Sequence, residues 1–450
     1  MEISGKNIDE SGLRALGRLN GSCLTTITFD YINNNTEGLD IAIDKLCKGS
    51  PNLKVLRFID PINFYCMTDA AVLSIVQHCP FIETLELRKW ANITDISMSY
   101  LAQLSCLREV DLSQCYKLTS VGVQGLVKAN RKLEVLVLAD TDRYEVTEEE
   151  TDAVIDDALL RCIGLHCSSL VKLHLRLDLD AESDATSASF EALIKCLPAL
   201  EDFLVEDFNM PNTILPQLGT YCPQLKVLYI DCVRCTDGDF VSMCQGCPLI
   251  EVLHLRHLFS ISDTSMLAVA RHCSMLKQLS ISYLGDITND SLCTLFATCT
   301  SLTSVTLIDL LHITDKAILT LLRHCPHLSS LTLSNTPGLT DYCIQAIPTY
   351  CPHIQSLELW YIRTLSHETI VQISRHCKRL HTLILLNCIK INNKTVTAVL
   401  TNAKCLNKLS INSTALHITD AFKAQCDALT AKRRYRTLSL IYSTTSVHTA

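Results

Sequence analysis

Glycine is scarce in this chain, at 14 residues in 450. Loops that cradle phosphates are hard to build from so few, and neither a P-loop nor a dinucleotide-binding glycine pattern occurs. G-x-S-x-G and H-E-x-x-H are also absent, since His367-Glu368 has no second His. Positive charge is in deficit: Lys plus Arg is 39 against 47 for Asp plus Glu, a formal charge of −8. That balance argues against a protein that must neutralise nucleic-acid phosphates. No stretch approaches the ~18 uninterrupted apolar residues of a membrane span, and the opening MEISGKNIDESGL has no leader-like charged and apolar regions. The expectation is a soluble, unsecreted, non-catalytic protein, cytoplasmic and/or nuclear, with no cofactor, no metal, no nucleic acid and no membrane partner.

What is abundant is apolar material, at 48%, and cysteine, at 24 residues. The first supplies a large core. Without a leader, the second reads as reduced thiols and not as a disulfide framework.

The cysteines mark a period. The strings CSMLKQLSI, CTSLTSVTL, CPHLSSLTL, CPHIQSLEL and CKRLHTLIL begin at Cys273, Cys299, Cys325, Cys351 and Cys377, each 26 residues after the last. With apolar residues required at +3, +6 and +8 from the anchor, the frame extends upstream through Gly21, Ser50, Cys79, Leu104, Asn130, Cys167, Leu197, Cys222 and Cys247, and downstream to Ala403 and Lys432. About sixteen units then cover 1–450 as one array. Residues 1–20 form a partial first repeat, 141–157 and 178–189 are insertion loops, and 432–450 hold a last strand and a tail.

Within a unit, L-x-x-L-x-L has the alternation of a short strand. A recurring triplet follows, as in Ile93-Thr94-Asp95, Ile313-Thr314-Asp315, Leu339-Thr340-Asp341 and Ile418-Thr419-Asp420. The Thr is a helix N-cap signal, and the acid faces the positive end of the helix dipole. Ile318, Leu321, Leu322 and Cys325 then lie at i, i+3, i+4 and i+7, one apolar helix face ending on the anchor. A strand and a short helix cannot bury that face alone, whereas stacked copies can. The predicted fold class is an α/β solenoid, with parallel strands on the concave face and helices on the convex one.

The pattern C-x-x-L-x-x-L-x-L, a turn, and I-T-D-x-x-L, met nearly in full from Cys222 to Ala403, resembles the cysteine-containing subclass of leucine-rich repeats. That subclass is typical of F-box/leucine-rich-repeat proteins, substrate receptors of cullin-based ubiquitin ligases of the SCF (Skp1-cullin-F-box) type. The resemblance implies recognition of a protein substrate or degron peptide on the concave face, in ubiquitin-dependent protein degradation. It departs from the family in one respect: fewer than 25 residues precede the first expected strand near Ile27, too few for the three-helix F-box. Ile8-Asp9-Glu10 already stands where Ile-Thr-Asp belongs, with Leu13 and Leu16 on the expected helix face. We expect Met1 to be internal to a longer chain holding a cap and possibly the F-box, and a Skp1-like adaptor is a partner only if that F-box exists. The alternative is a free-standing interaction scaffold.

Several constellations compete with this reading. Cys232-Val-Arg-Cys235 with Cys244-Gln-Gly-Cys247 has the composition of a zinc site, but Cys247 is an anchor and Cys244 lies one turn before it. The His-Cys doublets, such as His324-Cys325 and His376-Cys377, place His at helix C-termini, where it suits the exposed carbonyls. TDRYEVTEEETDAVIDD, at 141–157, is read as a solvated acidic loop or a contact for a basic partner. The run Lys432, Arg433, Arg434 and Arg436 is read as a solvated edge before a strand at Leu438–Leu440, or as a nuclear signal.

Strand positions +5, +7 and +9 face away from the core. At +9 lie Arg176, Glu206, Asp231 and Arg256, with His174, Tyr229 and His254 at +7. With strands ~4.8 Å apart, this row either neutralises itself or recognises a charged ligand. From Leu279 to Leu333 the same positions carry mainly hydroxyls. Trp360, Ile384 and Leu386 then appear at inward positions, with Tyr361 in the adjoining turn. Large apolar groups on an open face mark either a hot spot for a protein partner or a contact for a terminal loop.

Overall fold

The computed structural model describes residues 2–5, 12–13, 15–16, 23–29, 38–58, 67–138, 155–176, 185–206, 213–231, 233–412 and 419–431. The chain divides into two compact units, Met1–Val233 and Arg234–Ala450. The first holds β1 (Glu2–Gly5), β2 (Thr26–Phe29), β3 (Val55–Phe58), β4 (Thr84–Leu87), β5 (Glu109–Asp111), β6 (Val135–Val137), β7 (Lys172–Arg176), β8 (Asp202–Glu206) and β9 (Val227–Asp231). The second holds β10 (Val252–Arg256), β11 (Gln278–Ser282), β12 (Ser304–Ile308), β13 (Ser330–Ser334), β14 (Ser356–Trp360), β15 (Thr382–Leu386) and β16 (Lys408–Asn412). Within each unit every strand pairs in parallel with the next in sequence, and from β2 onward consecutive strands are joined through a helical segment.

The repeat frame becomes register without slippage. In the second unit Leu279, Val305, Leu331, Leu357, Leu383 and Leu409 are successive cross-strand partners, as are Ile281, Leu307, Leu333, Leu359, Leu385 and Ile411. All twelve are buried, because the even spacing sends both rows to the helix side. In the first unit the repeat lengths vary, yet Ile27, Leu56, Leu85, Val110, Leu136, Leu173, Phe203 and Leu228 still form one row. The extra residues are taken up outside the strands. Parallel strands need ~4.8 Å each and stacked helices ~8–10 Å, so the strand side of each unit is the shorter, concave side.

Each cysteine anchor closes its helix. Cys299, Cys325 and Cys351 are C-caps whose N–H groups donate to the carbonyl four residues back. Their thiols donate to the carbonyl of the preceding anchor, Cys273, Cys299 and Cys325 respectively, each at 3.6 Å. A small apolar side chain that also satisfies a buried carbonyl suits the slot better than Ala. Burial pushes the thiols of Cys325 and Cys351 up to about 12, which makes them inert. At Asn130 the amide replaces the thiol, donating to Leu101 and Leu126 carbonyls at 3.5 and 3.2 Å.

The acid of the Ile-Thr-Asp triplet is more than a dipole partner. Asp69 accepts from the backbone N–H and the hydroxyl of Thr94, the N-cap of the next repeat, both at 2.8 Å. Asp40 holds Thr68, Asp95 holds Thr119, Asp237 holds Ser262, Asp263 holds Thr288, and Asp341 holds Ser366 in the same way. A ladder of carboxylates therefore staples each helix start to the next. Burial pushes Asp69, Asp237, Asp263 and Asp341 up, but the donated hydrogen bonds outweigh it and leave all four below the ordinary carboxylate range.

The ends of the frame need correction. β1 lies ahead of the strand expected to come first, near Ile27, while the basic run and the strand expected at Leu438–Leu440 lie outside the described residues. The expected insertion loops are mostly outside them as well. Where 141–157 re-enters, Asp156 is an N-cap that accepts from the Leu159 N–H at 2.7 Å, and Asp157 opens the helix Asp157–His166. Those two acids are helix-start residues and not loop acids. Likewise Ser187–Ser189, at the end of 178–189, begin the helix Ser187–Lys195. Cys232 is outside the described residues, and Cys235, Cys244 and Cys247 are buried.

Candidate binding face on the strand side

The strand face of the first unit carries charge, and the charge is paired. Arg57 on β3 lies 2.9 Å from Glu86 on β4, and Arg88 donates to Asp111 on β5 at 2.7 Å. Further along, Asp202 at +5 of β8 lies 2.9 Å from His174 Nε2 and 3.0 Å from Lys172 Nζ, both on β7. Burial pushes Asp202 up, yet the hydrogen bond and charge of His174, with those of Lys172, hold it below the ordinary range. Tyr229 on β9 meets the His174 ring edge-on at 6.2 Å.

Arg176, Glu206 and Asp231 are cross-strand partners. The side chains of Arg176 and Glu206 lie outside the described residues. Among the described side chains a closed network is centred on Asp202, a +5 residue that the sequence reading did not name. The row read from sequence also divides between units, since His254 and Arg256 stand on β10 in the second. Burial lowers the His254 imidazole to about 4, so it is neutral at pH 7. The exposed Arg256 guanidinium lies 5.7 Å from the ring centre of Tyr283, which in turn stacks on His257 at 4.5 Å.

On β11 to β13 the strand face carries no charge. Ser280, Ser282, Ser304, Thr306, Ser330, Thr332 and Ser334 occupy the outward positions of β11 to β13, with Ile308 among them. On β14 and β15 the character changes. Trp360 pairs with Leu386, and Glu358 pairs with Ile384. Trp360 and Leu386 are half-buried, whereas Ile384 is only 7% exposed and serves as packing beneath the patch. The Trp360 indole N–H is enclosed without a hydrogen-bond acceptor among the described residues, an arrangement that costs ~1–3 kcal/mol.

Tyr361 projects at the rim, half exposed, with φ 60°. This conformation recurs at the residue after the strand in His257, Tyr283, Asp309, Asn335, Tyr361 and Asn387. Each of these N–H groups donates to the carbonyl that ends the next strand, as Tyr361 does to Leu386 at 2.8 Å. The left-handed turn thus extends the ladder by one residue. Asn and Asp tolerate it, but for a bulky Tyr it is a cost maintained by the surrounding structure.

Among solved structures, the chain is similar to Rad7 in the yeast Rad7–Elc1 complex, at 18% identity and a TM-score of 0.59, over 80% of this chain and 86% of that one. TLR13 in its complex with ssRNA13 matches at 16% identity and a TM-score of 0.42, over 98% of this chain and 67% of that one. No family model and no curated protein matches the sequence. The likeness to Rad7, together with the parallel strand–helix units, decides the fold. The chain is a leucine-rich-repeat solenoid.

In this solenoid the sequence reading named Trp360, Tyr361, Ile384 and Leu386, and the structure brings all four to adjoining strands and one turn. It did not name Glu358, two residues before Trp360 on the same face. Among the described residues Glu358 makes no hydrogen bond and no ion pair, and burial pushes its carboxyl above the ordinary range, with only the charge of Lys408 opposing. The signal was present in the string LEL at Leu357–Leu359, where an acid occupies a slot that holds Ser or Thr in the three preceding strands.

Proposed function

We propose that the chain is a non-catalytic binding solenoid that holds a protein substrate or degron peptide on the strand face of its second unit. In this reading it is the substrate-recognition part of an SCF-type ubiquitin-ligase receptor, and a Skp1-like adaptor is a partner only if the natural protein also carries an F-box. The observation that carries the binding role is the Trp360–Leu386 patch, a half-buried aromatic and aliphatic pair beside a strip of hydroxyls. The repeat pattern from Cys222 to Ala403 supports the cysteine-containing subclass, and the fold likeness to Rad7, solved with Elc1, is compatible with a partner-bound solenoid. Every described cysteine is a free thiol, which suits the cytoplasm or nucleus.

Affinity purification of the natural gene product from native cells tests both parts. Adaptor and cullin should co-purify with wild type and with Trp360→Ala alike, while bound substrate is lost from the variant. Absence of both ligase components leaves the free-standing scaffold as the reading. Unchanged substrate capture by Trp360→Ala, with its circular dichroism intact, removes the patch as the site.

A further inference from the structure

We propose that Glu358 and Trp360 together receive one cationic side chain, a lysine or arginine flanked by apolar residues, from an extended segment of the protein partner. This rests on the reading of the second unit's strand face as the binding surface, and it goes further by naming the chemistry recognised.

Glu358 stands between Thr332 on β13 and Ile384 on β15, and its own strand presents Ser356 and Trp360 on the same face. The outward positions of β13 and β15 are Ser330, Thr332, Ser334, Thr382, Ile384 and Leu386, none of them charged. Lys408 on β16 is two strands across and two residues along, at roughly 12 Å by strand geometry. It acts on Glu358 through its field and forms no ion pair with it.

Any partner that covers Trp360 and Leu386 also covers Glu358 and removes the water that solvates it. An apolar partner would leave a buried, unpaired carboxylate, and an anionic one would add repulsion. A cation instead donates a charge-assisted hydrogen bond to the carboxylate and lies against the face of a neighbouring indole. Its apolar flanks would rest on Leu386 and Tyr361. The first unit shows the contrast, because there Glu86, Asp111 and Asp202 each have a basic partner from their own chain. Glu358 has no such partner among the described residues, and in the proposed complex that partner comes from outside.

The test is selection of a random linear-peptide phage library on the full chain, followed by fluorescence anisotropy with synthetic copies of the selected peptides. The expected peptides carry Lys or Arg between apolar residues. Replacing that residue by norleucine, or Glu358 by Gln, should each weaken binding about tenfold, and the two changes together should weaken it no further. Glu358→Lys should reject these peptides and accept versions in which the basic residue is Glu. Trp360→Ala and Trp360→Phe, checked for folding by circular dichroism, should weaken binding strongly and mildly.

Selection of peptides without a basic residue, failure to select any peptide, or equal or tighter binding to Glu358→Gln overturns the inference. If such peptides still depend on Trp360, the binding face stands and only the cation is lost. If binding ignores both residues, the face falls with it.

Discussion

The two units use the same strand-helix unit and treat charge on the strand side in opposite ways. In the first, Arg57, Glu86, Arg88, Asp111, Lys172, His174 and Asp202 are tied across neighbouring strands. In the second, three strands of mainly hydroxyls lead to Glu358, which no described residue pairs. Parallel strands only ~4.8 Å apart let complementary residues at one repeat slot satisfy each other, so a closed row needs no ligand. A lone carboxylate among hydroxyl and apolar neighbours has no such outlet. The same scaffold therefore yields closed cross-strand pairs in one unit and, among the described residues, an unpaired acid in the other.

The largest effect that would break this contrast is expected at Asp202. Asp202→Ala leaves His174 and Lys172 without their carboxylate and should cost about 2–3 kcal/mol in urea unfolding. Glu358→Gln should instead leave stability unchanged or raise it by up to ~1 kcal/mol, because it removes a half-buried charge that has no partner. Equal losses from the two variants would mean that Glu358 is paired after all.

Next in size is the staple ladder. Asp263→Ala removes acceptors for the Thr288 N–H and hydroxyl and should cost about 1–2 kcal/mol. Asp263→Asn should cost less, because Asn289 already fills this role naturally, accepting from the Thr314 N–H at 3.0 Å. The pH dependence has opposite signs at the two kinds of acid. The staple carboxylates titrate lower in the folded chain than in the unfolded one, so their stabilisation is present above pH ~4 and is lost as pH falls through the folded values. For Asp157, where hydrogen bonds from Ser189 and Thr186 overcome burial, that value is about 2. Glu358 titrates higher when folded, so its penalty is present at neutral pH and fades on acidification. Urea midpoints of wild type and Glu358→Gln should converge below pH 4.

The smallest effect sharpens the rim. Tyr361→Gly adopts φ 60° without cost and should gain stability by roughly 0.5–1 kcal/mol, while weakening any partner that rests on the ring. A loss of stability would show that the Tyr361 ring packs more than it strains.

Much of this was legible in the residues. The period of Cys273 to Cys377, the leucines at +3, +6 and +8, and the Thr caps follow from spacing alone, because strand and helix periodicities are local. Trp360 and Leu386 were visible because large apolar groups stood at outward positions. Asp202 and Glu358 were not, since a Ser, an Asp or a Glu is acceptable on an open strand and only its neighbours show whether it is paired. The acid of Ile-Thr-Asp was seen, but its partner 25 residues on was not.

By itself the sequence determined the repeating unit, the direction of each strand's faces and the order in which units stack, all consequences of short-range pattern and of the apolar rows that need burial. The tertiary structure decided what each side chain meets across the repeat: which carboxylates staple successive helices, which close ion pairs between strands, that Ile384 is covered while Leu386 is half-buried, and that Glu358 has no partner among the described residues. Those outcomes depend on contacts between residues a full repeat apart, where no local preference acts.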